Sequence, residues 1–249
     1  MPVTEIGGMR VRAGLDVQDD ATPEAQIVRR AYEGITREPT GPYRIYWGLE
    51  IERPEYFWGL YDFASVEDHQ KFAKEHAGPH VRDLGKVFEH NPRDRDALFT
   101  RHIQLPATVY PLRSVHAPVT EIMYAFFPAD ISHEAKDSAT QALQEFIDRG
   151  LNECADVQGV DYAWSVETDV PVREKTKGDG QGDDGGKEPQ KGVLLFAGIG
   201  WPSIEAHLQF RETDAFKNSV GLLRAMEGLI SITMFHVKFR GWENAVRKE

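Results

Sequence analysis

Ser65-Val-Glu-Asp-His69-Gln-Lys-Phe72 returns as Ser203-Ile-Glu-Ala-His207-Leu-Gln-Phe210, each time two residues behind an aromatic, Phe63 or Trp201. The repetition extends outward from that motif. Pro2-Val-Thr-Glu-Ile6 recurs letter for letter as Pro118-Val-Thr-Glu-Ile122. Trp47-Gly-Leu-Glu50 aligns with Trp164-Ser-Val-Glu167, and His102-Ile-Gln-Leu105 with His236-Val-Lys-Phe239. The offset between copies jumps from 117 at the Trp landmarks to 138 at the His motifs, which places an insertion before the second His motif. A period above about 50 residues is too long for a solenoid. The chain therefore reads as a tandem duplication of two small domains, 1–105 and 118–239. A linker covers 106–117, a Gly/Asp/Lys-rich flexible insertion 171–192, and a C-terminal tail 240–249.

Each half reads as strand, helix, strand, strand, helix, strand. In the first, residues 4–11 are apolar enough for a strand, and Thr22-Pro23-Glu24 supplies a cap, a first-turn proline and a first-turn acid. Ile27, Val28, Ala31, Tyr32 and Ile35 then form one helical stripe. Alternation over 43–51 predicts a half-buried strand, with a third strand over 56–63. Ser65 caps the next helix, which Gly78-Pro79 interrupts, and 98–105 is the fourth strand. The second half repeats the order with strands over 120–127, 160–168, 193–201 and 230–239 and helices capped by Ser132 and Ser203.

A βαββαβ unit is the ferredoxin-like plan, an antiparallel sheet with both helices on one face. One unit leaves its other sheet face bare, so two units packed sheet to sheet bury both. The doubled strand order and the paired (Phe/Trp)-x-Ser-(Val/Ile)-Glu-x-His-x-x-Phe stretches resemble the dimeric α/β-barrel superfamily. The resemblance covers nearly the whole chain and implies an α+β fold class, a fused dimeric α/β barrel. That superfamily includes cofactor-free oxygenases of aromatic polyketides, polyketide cyclases, lyases and haem enzymes, so the resemblance bears on fold more than on activity.

Composition narrows the function classes. The chain is 41 % hydrophobic and 10 % aromatic, enough for a core, and carries a net charge of −11. An acidic chain without clustered Lys and Arg is unsuited to nucleic acid. Cys154 is the single cysteine, which excludes an internal disulfide framework. No apolar run approaches the ~20 residues of a membrane helix, and the N-terminus lacks a signal-peptide pattern. The expectation is a cytoplasmic protein with no nucleic-acid or membrane partner, either a monomer containing an internal pseudo-dimer or a homodimer.

His69 and His207 lead the catalytic candidates. Each sits one turn into a helix, on the side of Val66 and Phe72 or Ile204 and Phe210, which should face the sheet. A neutral imidazole in an apolar cleft can act as a general base near neutral pH; the competing reading is a duplicated fold determinant. His102 and His236 form the second pair. If Phe99, Ile103 and Leu105, or Phe235, Val237 and Phe239, pack under the helices, both histidines turn toward the space between the sheets. Glu50 and Glu167 share that direction by parity, as acid/base partners or as a structural seam.

Tyr46, Trp47, Trp58 and Tyr61, with His76 and His80, line the substrate cleft expected in the first half. Tyr124, Phe126, Trp164 and Phe196 do so in the second. No metal site is expected: Gly78-Pro79 separates His76 from His80, and Glu67 and His69 diverge around their helix. Dinucleotide, P-loop and nucleophile-elbow motifs are absent. The reading is a cofactor-independent enzyme that removes a proton from a small aromatic or polyketide-like metabolite, of oxygenase or cyclase/lyase type. Haem binding in the same fold and a non-catalytic binding or stress-related barrel are the alternatives. The first half keeps more polar groups, Arg44, Tyr61 and Asp62 against Asp161, Ile199 and Gly200, which favours it as the working site.

Overall fold

The computed structural model describes residues 1–89, 98–106, 110–172 and 190–247 of the 249-residue chain. The chain divides into two compact units, Met1–Pro106 with Val237–Glu249, and Ala107–His236. The first contains β1 (Val3–Val11), α1 (Pro23–Ile35), β2 (Arg44–Leu49), β3 (Tyr56–Phe63), α2 (Val66–Glu75), α3 (Ala77–Leu84), β4 (Phe88–Glu89) and β5 (Leu98–Ile103). Its sheet runs β2-β3-β1-β5, the strand order of a ferredoxin-like unit, with each of these pairs antiparallel.

The second unit contains β6 (Val119–Pro128), α4 (His133–Arg149), β7 (Val160–Trp164), β8 (Val170–Pro171), β9 (Lys191–Trp201), α5 (Ile204–Phe210), α6 (Asp214–Arg224) and β10 (Ser231–Val237). Its sheet order, β10-β6-β9-β7, is the same plan. The α+β class and the ferredoxin-like topology read from the sequence are those of the structure.

Local chemistry sets the element ends. Thr22 accepts from the Ala25 amide and Pro23 occupies the first turn of α1, where no N–H is needed. The second helix of the first unit breaks at His76, one turn before the proline, so Pro79 falls in the first turn of α3 rather than in a helix interior. In the second unit the strand expected over 160–168 ends at Trp164. There the Ser165 hydroxyl accepts from the Leu194 amide at 3.0 Å, taking a ladder bond away from the backbone. The expected insertion lies outside the described residues over 173–189. Its described ends pair, Val170 with Gly192 and Pro171 with Lys191.

The stretch read as a tail is structural. β11 (Arg240–Glu243) returns to the first unit and pairs antiparallel with β2, Arg240 opposite Trp47 and Glu243 opposite Arg44. Beyond it Asn244 donates to Glu38 O and Pro42 O, and Arg247 reaches Asp68 Oδ2 on α2 at 2.7 Å. β2 would otherwise be an open edge with unpaired backbone groups.

One face of the first sheet carries Val3, Val11, Ile45, Trp47, Phe57 and Phe63 into a core shared with Val28, Tyr32 and Ile35 of α1 and Phe72 of α2. Trp47 stacks on Phe57 at 5.1 Å and on Trp242 of β11 at 6.0 Å. The opposite face is apolar too: Ile6, Trp58, Leu60 and Ile103 are all buried. Both faces of this sheet are therefore greasy, so hydrophobicity alone does not reveal which face of a strand meets the helices.

Candidate functional site

The duplicated motif is a helix N-terminus that aims an imidazole. Ser65 is extended and its hydroxyl accepts from the Asp68 amide at 3.2 Å; Ser203 does the same for Ala206 at 3.2 Å. The histidine four residues on donates the first backbone bond of each helix back to that serine, His69 to Ser65 O and His207 to Ser203 O. Its side chain then points back along the helix onto the sheet.

On the sheet the imidazole meets a second one. His69 Nδ1 and His102 Nε2 share a hydrogen bond of 2.8 Å, and His207 Nδ1 and His236 Nε2 share one of the same length. This corrects the sequence-based orientation of the strand pair. His102 lies directly opposite Glu5 in the β1–β5 register, and both project to the helix side. The face carrying Ile103 was expected under the helices; both faces of the sheet are apolar, and it is the face of Glu5 and His102 that packs there.

A carboxylate completes each chain. His69 Nε2 lies 3.2 Å from Glu5 Oε2, and His207 Nε2 lies 3.5 Å from Glu121 Oε2. Glu5 and Glu121 are the fourth letters of the repeated Pro-Val-Thr-Glu-Ile pentapeptide. Sequence reasoning marked that repeat but did not single out its acid, although letter-for-letter retention of a carboxylate inside an apolar strand was the available signal. The carboxylates that were singled out lie elsewhere. Glu50 is held by Arg53 at 2.6 Å and by the Trp58 indole at 3.3 Å, and Glu167 accepts from Ser165 through its backbone carbonyl.

The two Glu–His–His chains differ in their surroundings. In the first unit Phe63 packs against His69 with ring centroids 4.8 Å apart, and Tyr61 is the ladder partner of Glu5 on its other side. The Tyr61 ring occupies the space a side chain on Gly59 would need, and its hydroxyl shares a 2.8 Å hydrogen bond with Tyr32 of α1. Burial pushes both phenols well above their ordinary range, with Glu5 adding to the shift. In the second unit Trp201 stacks on His207 at 5.1 Å, its indole N–H donates to Glu121 Oε2 at 3.2 Å, and Ile199 takes the place of Tyr61. Side-chain exposure is 15 % for His69 and 13 % for Glu5, against 8 % for His207 and 5 % for Glu121. At these two positions the first chain of groups is the more exposed.

Of the other residues read as site-lining, the structure brings Tyr61 alone beside a histidine–carboxylate chain. Trp47 shares the helix-side face but sits at β2, on a groove of about 300 Å³ with Asp20, Arg29, Arg240 and Trp242, and the buried Tyr32 stands between it and Tyr61. Tyr46 and Trp58 occupy the opposite face. So do Tyr124, Phe126 and Phe196, buried away from Glu121. Trp164 is on the helix side, where its indole donates to Thr140 of α4. His76 and His80 turn to Glu38, at 4.0 Å and 3.2 Å, rather than to His69. Among the described residues no helix is long and apolar enough to cross a membrane.

No protein-family model and no curated protein matches the chain. Solved structures do. An anthrone oxidase-like protein is 12 % identical with a TM-score of 0.57, over 98 % of this chain and 94 % of that one. A candidate monooxygenase from Fusobacterium nucleatum is 10 % identical with a TM-score of 0.56, over 98 % and 94 %. A candidate monooxygenase from Lactobacillus acidophilus is 11 % identical with a TM-score of 0.54, over 98 % and 96 %. At such identities the likeness speaks to fold. It extends over both units at once, and the fold it shows is α+β, with two ferredoxin-like units carried in one chain.

Proposed function

We propose that this protein is an enzyme of oxidoreductase type that removes a proton from a small aromatic or polyketide-like substrate at His69, without an organic cofactor. The observation that carries the reading is the partly exposed Glu5–His69–His102 chain, in which His69 has a polar partner beside each ring nitrogen. In the tautomer with the ring proton on Nδ1, directed at His102, Nε2 is the basic atom, and a phenolic O–H or an activated C–H that displaces the Glu5 carboxylate from its 3.2 Å contact transfers its proton there. The resulting imidazolium is held by the Glu5 carboxylate on one side and by the lone pair of His102 Nε2 on the other. Positioned general bases of this kind contribute roughly 10²–10⁴-fold in rate.

The proton removed leaves an electron-rich enolate or phenolate on the substrate. A tricyclic anthrone is the natural probe, given the anthrone oxidase-like neighbour, because its methylene protons are activated by the carbonyl and two flanking rings. With dioxygen as the oxidant the carbanion gives a monooxygenase outcome; with an internal electrophile it gives ring closure.

The test is oxygen uptake and product analysis with a panel of anthrones and phenolic ketones, on wild type, His69→Asn and His207→Asn. The expected result is turnover that falls roughly 10²–10⁴-fold in His69→Asn and persists in His207→Asn. Equal loss in both variants, or a Soret band in the purified protein, would contradict the proposal; the Soret band would favour the haem alternative.

A further inference from the structure

We infer that the second unit's Glu121, His207 and His236 form a binding site for a divalent transition metal of the zinc class. The three side chains offer one ligand atom each, and these atoms lie within 4.8 Å of one another. All three residues are buried, Glu121 at 3 %, His207 at 6 % and His236 at 8 % exposure. Two imidazoles and a carboxylate are a donor set for zinc and its neighbours in the first transition row. Zinc bonds of about 2.0–2.2 Å keep tetrahedral ligands about 3.3 Å apart. The 3.5 Å between Glu121 Oε2 and His207 Nε2 already suits that spacing, and His236, whose Nε2 shares a 2.8 Å hydrogen bond with His207 Nδ1, turns from that contact to complete the set when the ion binds.

An outer shell is also in place. The Trp201 indole donates to Glu121 Oε2 at 3.2 Å, fixing the carboxylate as second-sphere donors fix metal ligands. The first unit has Phe63 at the matching position, which has no N–H, and its Glu5 and His69 are more open. The same three residue types thus serve differently in the two copies. The more exposed copy suits a substrate, and the more buried one, with its oriented carboxylate, suits a small ion. The inference is independent of the proposed chemistry at His69, since it concerns the other unit and is read without a substrate.

The test uses the full chain, stripped with chelator, and titrated with Zn²⁺ by calorimetry and with Co²⁺ by visible absorption. The expected result is one equivalent bound per chain, a Co²⁺ d–d band of low-coordinate type, and an upward shift of the melting temperature with Zn²⁺. Glu121→Gln and His236→Gln should abolish the stoichiometric site. Trp201→Phe, which keeps every ligand, should weaken it about 10–100-fold. Glu5→Gln and His80→Ala, at the other histidine–carboxylate groupings, should leave it intact. Should Glu121→Gln fail to fold, His236→Gln and Trp201→Phe carry the same comparison. No stoichiometric binding by the wild type, binding unchanged in Trp201→Phe and His236→Gln, or binding lost in Glu5→Gln or His80→Ala, would overturn the assignment.

Discussion

Glu5 carries the account at the scale of single residues, because it converts a pair of contacting imidazoles into a chain with a charged end. Glu5→Gln keeps the shape and removes the charge, so a transition state that places positive charge on His69 should lose on the order of 10²-fold in turnover. Steady-state kinetics checks this, with unchanged melting temperature as the control. The neighbouring phenols give a separate handle. Burial raises Tyr32 and Tyr61 above the ordinary 10.0. A raised folded-state value means their contribution to stability is complete below pH 10 and drains away above it, as the unfolded chain ionises these groups while the folded one does not. Urea midpoints measured from about pH 8 to 11 should therefore fall on the alkaline side, and the fall should flatten in Tyr32→Phe and Tyr61→Phe. A slope unchanged by both substitutions would contradict that origin. His69 and His207 were legible in the sequence because the chain states their motif twice. Glu5 and Glu121 were equally repeated, but a Glu inside Val-Thr-Glu-Ile reads first as a strand letter, and nothing in one sequence says that the strand lies beneath the histidine.

Among the elements, the capped helix starts decide where the imidazoles point. Ser65→Ala and Ser203→Ala each remove a hydroxyl that accepts from a first-turn amide, and each should cost about 1 kcal/mol in chemical denaturation. Ser65→Ala should also lower turnover, since the first turn of α2 positions His69; activity and stability both unchanged would argue against that role. Element order was readable from alternation, capping residues and prolines. Strand direction was not, in the one place where it mattered. Parity separates core from solvent only when one face is wet, and here Ile6, Trp58, Leu60 and Ile103 bury the face opposite Glu5 and His102. Similarly, the end of β7 at Trp164 depends on a serine hydroxyl substituting for a ladder bond, a tertiary choice that no propensity announces.

For the whole molecule, the first unit is assembled from both ends of the chain. Residues 240–247 pair with the edge of β2, bring Trp242 onto Trp47, and tie Arg247 to Asp68, next in sequence to His69. The sequence stretch looked like a tail because it is short, charged and beyond the last repeat landmark; only the register with β2 shows its use. Truncation after Val237 should lower the melting temperature and weaken turnover together, and a full-stability truncated protein would show that the strand is dispensable. The central claim is that His69, supported by Glu5 and His102, takes a proton from substrate. Its most direct measurement is anaerobic solvent exchange: anthrone in D₂O with the full chain, the methylene signal followed by proton NMR so that no oxygen step intervenes. Exchange accelerated by wild type and by His207→Asn but not by His69→Asn is the predicted result; acceleration that survives in His69→Asn would contradict it.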